Sequence, residues 1–321
     1  MICLKNSPRS RKELHDIFLQ RTKAEITMGQ YSKSEPVVVV EGVLDTKLVD
    51  KLRNRNLTVI PIEKLIKATI NERAERKRTK SARELVEIVC NLFIESGFKF
   101  VFGIRDADTF ALNEFVRNRK WNFKQKPSHV FDTRPCRDME TVLYSALHFG
   151  NKFVQNFPKK FDECIKRSQE LAYVGLGLHK FNRSKVIKNW TPGLKEFSNS
   201  YKSQEKRYYD LCESSDKITD AFINFHSSKF NEDTSQQFRK IIKNKKQSLM
   251  DMNLKWFELS RGHDLERMLQ FTNQRFNGRK MNELLIALVD YNCLKNYQML
   301  NLNIDHLDPV MLEKQKRILC R

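Results

Sequence analysis

Apolar positions between residues 36 and 149 switch between two periods. Val37-Val38-Val39-Val40, Leu57-Thr58-Val59-Ile60, Phe98 to Ile104 and Ser128-His129-Val130-Phe131 are short runs rich in β-branched and aromatic residues, and each reads as a strand. The runs are continuous rather than alternating, which marks strands covered on both faces, as in a parallel sheet. Pro61 stops the second run. Between the strands the period lengthens to that of a helix. Leu48, Val49 and Leu52 share one face of a helix following Asp45. Leu85, Val86, Ile88, Val89, Leu92 and Phe93 form a wide apolar stripe from Ser81 to Ser96, closed by Gly97. A further helix begins at Thr109, and another runs to about Phe149 with Asp138 as its natural N-cap and Glu140 in its first turn. Alternating strand and helix predicts an α/β domain with a mainly parallel sheet, flanked on both faces by helices through right-handed crossovers.

The pattern changes on either side of this stretch. Residues 1–35 read as an N-terminal arm with one short helix from Ser10 to Gln20, its Leu14, Ile17 and Phe18 on one face. Residues 63–80 are irregular and end in a basic cluster. From residue 150 the strand signals fade, and helical spacing recurs around 151–172, 194–213, 216–230, 234–258, 264–276 and 280–297. The expected organisation is therefore an arm (1–35), an α/β domain (36–149) and a mostly helical region (150–321) that binds substrate or a partner.

Composition adds a partner class. Lys and Arg number 59 against 39 Asp and Glu, for a formal net charge of +20. Such an excess calls for a polyanion, most simply nucleic acid, with an acidic membrane surface as the rival. A hydrophobic content of 40% excludes a chain disordered throughout. No apolar run approaches a membrane span, and Lys5, Arg9 and Arg11 interrupt any signal-peptide core, so the expectation is a soluble cytoplasmic protein without a membrane partner. The seven cysteines form no Cys-x-x-Cys, which fits a reducing compartment. No Gly-x-x-x-x-Gly-Lys-Ser/Thr occurs, so ATP hydrolysis by this chain is not expected.

The chemistry gathers at strand ends. Glu41-Gly42 follows the four valines, and Asp106-Ala107-Asp108 follows Phe100 to Arg105. Open α/β sheets place their sites at the carboxyl ends of strands. Glu41, Asp106 and Asp108 brought together repel one another unless a cation intervenes, and oxygen-only ligands favour Mg²⁺ or Mn²⁺. Acids after strands also cap helices, and Asp45 divides evenly between cap and site. Arg105 and Arg137, beside the acids, either hold a phosphate or pair with a carboxylate. Arg239, Lys240, Lys243, Lys245 and Lys246 make a basic run with an apolar stripe, a candidate nucleic-acid contact. Trp256 and Phe257 nearby stack on bases or belong to a core. In Gly262-His263-Asp264-Leu265-Glu266 the capping rule favours Asp264 as a helix cap over a second metal cluster.

The order of these motifs resembles the Toprim fold, shared by topoisomerases, bacterial primases and OLD-family nucleases. The resemblance covers residues 36–149. Val40-Glu41-Gly42-Val43-Leu44-Asp45, Asp106-Ala107-Asp108 and Asp138-Met139-Glu140 are similar to the pattern of stand-alone Toprim nucleases, a group that includes the nuclease subunit of the PARIS anti-phage defence system. The resemblance implies a metal-dependent endonuclease that cleaves RNA, with tRNA as the expected substrate, as a toxic effector controlled by a separate ATPase subunit. It implies Glu41, Asp106 and Asp108 as catalytic residues and metal ligands, with Glu140 or Asp138 adding a further ligand. Glu41 is then a ligand or a general acid/base, its pKa raised by neighbouring carboxylates. Homodimerisation also comes from the resemblance and not from the residues. A DNA nuclease of the OLD type, and an inactive Toprim module used for binding or sensing, are the alternatives.

Overall fold

The computed structural model describes residues 10–29, 31–51, 58–70, 81–119, 129–149, 160–201, 203–272, 283 and 285–289. The chain divides into two compact units, one of Met1–Asp106, Phe123–Thr133 and Asp290–Arg321, the other of Ala107–Asn122 and Arg134–Val289. This differs from a division at residues 35 and 149. Two of the four crossings fall just after the strand that leads into Asp106 and just after the fourth strand.

The first unit is built on a four-stranded, all-parallel sheet of β1 (Val37–Val40), β2 (Thr58–Pro61), β3 (Val101–Arg105) and β4 (Val130–Asp132), in the order β2-β1-β3-β4. Every residue of β1 is buried, as expected of a strand with neighbours on both sides and cover on both faces. Pro61 ends β2 inside the strand rather than beyond it, and β2 is an edge strand, where a missing N–H is tolerated.

Helices α1 (Arg11–Thr27), α2 (Val43–Lys51), α3 (Ile62–Thr69) and α4 (Ala82–Glu95) belong to this unit. Leu14 and Phe18 of α1 lie in one core with Val37, Val39, Val101 and Val130 of the sheet and Leu85, Val86 and Val89 of α4. The N-terminal segment is therefore a structural helix of the unit and not an appended arm. Ser10 opens it with a capping box to Glu13. Ser81 does the same for α4 with Glu84, and Gly97, at φ +88°, closes α4 in a conformation that favours glycine. Gly103 marks where α4 rests on β3. A Cβ there would sit 2.7 Å from Val86 Cγ1 and 3.0 Å from Cys90 Sγ.

The second unit is helical: α5 (Asp108–Asn118), α6 (Met139–Phe149), α7 (Phe161–Arg183), α8 (Leu194–Ser200), α9 (Glu205–Leu211), α10 (Ser215–Phe225), α11 (Glu232–Met250), α12 (Trp256–Leu259) and α13 (Gly262–Thr272). Helix α7 is its spine, with α10, α11, α12 and α13 packed on it. Gly177 sets the approach of α11, because a Cβ would meet Ile242 Cδ1 at 2.3 Å. The Gly175-Leu176-Gly177 pair thus serves close helix packing. No helix among the described residues is long and apolar enough to cross a membrane.

Candidate functional site

The strand order fixes where a site can form in the sheet. From β1 the chain steps outward to β2, then returns past β1 to add β3 and β4 on the other side. The direction reverses between β1 and β3, and such a switch point opens a crevice at the carboxyl ends of the two strands. Val40 pairs with Ile104, so the residues leaving that edge are Glu41 from β1 and Arg105 and Asp106 from β3. The Asp106 N–H donates to Glu41 Oε1 at 2.8 Å. One hydrogen bond thus joins motifs 65 residues apart, and both residues are half-buried.

The surrounding contacts hold this corner in place. The Gly42 N–H donates to Asp45 Oδ2 at 2.8 Å. Helix α2 starts at Val43, two residues before the expected cap, and Asp45 reaches back from its first turn to satisfy an N–H at the helix start. Asp45 therefore takes the structural alternative. The Glu63 N–H donates to the Glu41 carbonyl at 3.2 Å, tying the start of α3 to the same corner. Arg83 Nη1 donates to the Asp106 carbonyl. The sequence reading missed Arg83. Its signal was topological: the helix between two parallel strands starts at their carboxyl edge, so a first-turn arginine of α4 lands beside the strand-end acids. Arg105 pairs with Glu87 of α4 at 3.7 Å, the carboxylate-pairing alternative.

Asp108 opens α5 in the second unit, and its side chain lies outside the described residues. Asp138 and Glu140 stand at the start of α6, also in the second unit. Asp138 is a double cap. Its Oδ1 accepts from the Thr141 N–H at 2.9 Å and from the Thr141 hydroxyl. Both of its oxygens accept from the Gly262 N–H at 2.9 Å. One buried carboxylate therefore starts α6 and also receives the first residue of α13. A Cβ on Gly262 would lie 2.2 Å from Glu140 Cβ, so only glycine fits.

The His-Asp-x-Glu motif sits at that joint. Gly262, rather than Asp264, begins α13, which corrects the expected cap. His263 bridges two acids, with Nε2 3.5 Å from Glu140 Oε1 and Nδ1 3.5 Å from Glu266 Oε2. The hydrogen bond to Glu266, with the nearby charges of Glu140 and Asp138, pushes the imidazole pKa up to about 9, so His263 is a cation at neutral pH. Burial raises the Asp264 pKa against the pull of Arg261 and Arg137. Arg137 is buried, and its Nη1 donates to the Leu259 carbonyl at 3.0 Å, a structural bond rather than a surface phosphate contact.

The basic run on α11 divides. Arg239 pairs with Asp220 at 2.9 Å on the surface. Lys246 is half-buried, 2.7 Å from Glu170 Oε2 and 3.2 Å from Ser215 Oγ, so it braces the bundle. Burial and the neighbouring Lys180 lower the Lys245 pKa. Lys240 and Lys243, like Arg239, are exposed. Trp256 packs edge-on against Phe161 and His148, and Tyr209 stacks on Phe271, so these aromatics build the unit.

Glu41 and Asp106 fit a hard divalent cation by donor chemistry: both are half-buried acids at one strand edge, where the Asp106 backbone N–H donates to the Glu41 carboxylate. Among the described residues no group of three or more His, Cys, Asp or Glu forms a ready metal cage. No protein-family model matches this chain, and no curated protein matches it.

Proposed function

We propose that this chain is a metal-dependent Toprim-type endonuclease that cleaves RNA, with tRNA as substrate, as the toxic effector of a phage-defence system restrained by a separate ATPase subunit. The observation that carries the reading is the Glu41–Asp106 hydrogen bond at the β1/β3 switch point of a parallel sheet. It brings the Glu-Gly and Asp-x-Asp motifs to one strand edge, as the resemblance to Toprim nucleases requires. The RNA target and the defence role rest on that resemblance alone.

In the first unit Glu41 and Asp106 would hold the Mg²⁺ or Mn²⁺. The bound metal supplies Lewis-acid stabilisation of the phosphodiester oxygens and a more acidic water. The chain's own groups prepare the site. Arg83 and Glu63 bond the backbone beside the two carboxylates, which limits their movement as charge builds on the phosphate. Gly42 keeps the backbone next to Glu41 free of a side chain. Asp138 acts as a positioning residue, because three donors already occupy its carboxylate. Lys240 and Lys243 offer exposed positive charge to RNA phosphates, and Arg239, Lys245 and Lys246 add to the field around them.

The test is total-RNA integrity after induced expression of the wild type and of Glu41→Gln, with sequencing of new ends. Gln keeps an oxygen for the Asp106 N–H, so the corner stays folded while the charge is lost. Discrete tRNA fragments from the wild type alone support the proposal. Fragmented DNA with intact RNA moves the substrate to DNA. If RNA and DNA both stay intact with the ATPase subunit and a phage trigger supplied, the nuclease reading fails.

A further inference from the structure

The second unit carries a cavity of about 610 Å³, open to solvent on one side, whose lining includes residues of α7, α8 and α13. That volume lies within the range of about 300–1,000 Å³ that holds a cofactor-sized molecule. Among the described residues, Arg137, Lys195, Arg261 and Arg267 line it against one carboxylate, Asp264. Of the two imidazoles in the wall, His263 already answers Glu140 and Glu266, so the cavity's surplus positive charge comes from the arginines and the lysine. The Arg267 guanidinium is held 3.8 Å from the centre of the Tyr208 ring, while Arg137 is a buried part of the wall, bonded to the Leu259 carbonyl. A fork held like that of Arg267 suits phosphate oxygens.

The remaining wall is of another kind. Leu171, Leu176, Leu194 and Pro192 give it an apolar surface. Asn182 also faces the cavity. Its amide nitrogen donates to the Pro192 carbonyl at 2.9 Å, which fixes the side chain, and its buried Oδ1 has no hydrogen-bond partner among the described residues. A buried acceptor left unsatisfied costs about 1–3 kcal/mol, so it asks for an N–H or O–H from a ligand. Cations for an anionic group, an apolar surface for a flat ring and one acceptor for an amine or hydroxyl together describe a nucleotide.

We propose that this cavity is a nucleotide-binding site, with the phosphate on the arginine side and the base or ribose against the leucines and Asn182. It lies wholly within the second unit and is read by binding, so it does not depend on the nuclease reading.

The test is calorimetric titration of the full chain with AMP, GMP, CMP and UMP, beside inorganic phosphate, the four nucleosides and short RNAs with 5′-phosphate or 5′-hydroxyl ends. The expected result is saturable binding of at least one mononucleotide below about 1 mM, tighter than phosphate or nucleoside alone. Arg261→Glu should weaken it about tenfold or more, and melting checks that the reversal beside Asp264 leaves the variant folded. Asn182→Leu should weaken the nucleotide but not phosphate. Lys229→Glu, an equal charge change at an exposed position away from the cavity lining, should have little effect. Phosphate binding as tightly as every nucleotide overturns the base or ribose contact. Binding only of 5′-phosphorylated RNA overturns a free-nucleotide site in favour of a strand-end site. No binding of any probe, or binding unmoved by Arg261→Glu while melting shows the variant folded, overturns the proposal.

Discussion

Replacing Asp138 with alanine tests the double cap directly. The carboxylate is 6% exposed and Thr141 is fully buried. The substitution removes the acceptor for two backbone N–H groups, those of Thr141 and Gly262, and for the Thr141 hydroxyl. The hydroxyl has an alternative in the Ser260 carbonyl at 3.4 Å. The two N–H groups are left buried at about 1–3 kcal/mol each, and losing the cost of burying a charge offsets part of this. A net destabilisation of about 3 kcal/mol is expected, a fall in melting temperature of roughly 6–12 °C for a unit of this size. Urea unfolding followed by tryptophan fluorescence suits the measurement, because Trp190 and Trp256 both lie in the second unit. Asp138→Asn keeps one acceptor oxygen for both N–H groups and should cost only about 1 kcal/mol. A loss under about 1 kcal/mol for alanine, or an equal loss for asparagine and alanine, would refute the double cap.

The same joint should resist Gly262→Ala, which forces a Cβ against Glu140 and should cost at least about 2 kcal/mol by urea unfolding. Gly103→Ala should destabilise the first unit by about 1–3 kcal/mol, seen as lost hydrogen-exchange protection in β3 with the second unit unchanged. His263 has a folded pKa raised above its ordinary 6.5, so its stabilisation is complete below about pH 6.5 and disappears as pH rises through about 9. The imidazole is 66% exposed, and solvent screening leaves about 1 kcal/mol; metal-free unfolding at pH 6 and pH 10 should show that difference in wild type and not in His263→Gln. RNA affinity should fall steeply with salt, and Lys240→Glu with Lys243→Glu should flatten the slope by about 2; an unchanged slope would remove α11 as a phosphate contact.

The sheet was legible because its signals are local. Four apolar runs, with helical spacing that begins at Ser10 and Ser81, predict elements that the structure contains. Glu41 and Asp106 were legible because strand-end acids need only a parallel neighbour to meet. What the sequence hid depends on distant partners. Nothing near Leu14 and Phe18 says that a sheet will cover them. The Asp138–Gly262 bond joins two segments that share no period, and Lys246 reads as surface charge until Glu170 is placed opposite. The cationic cavity has bare backbone at Gly175 in its wall, where a Cβ would sit 3.2 Å from Leu194 Cδ1.

The Asp138–Gly262 bond also sets a clock. Its partners are 124 residues apart, and translation at about 5–20 residues per second separates their synthesis by roughly 6 to 25 s. During that interval Asp138 has only Thr141 to hold, and the α6 start that carries Glu140 lacks the glycine meant to cover it. A nascent chain therefore passes through a period in which the sheet-edge acids are already made but the Asp138–Glu140 corner is unfinished. If the proposed activity is toxic to its host, the order of synthesis leaves this corner incomplete until α13 has emerged.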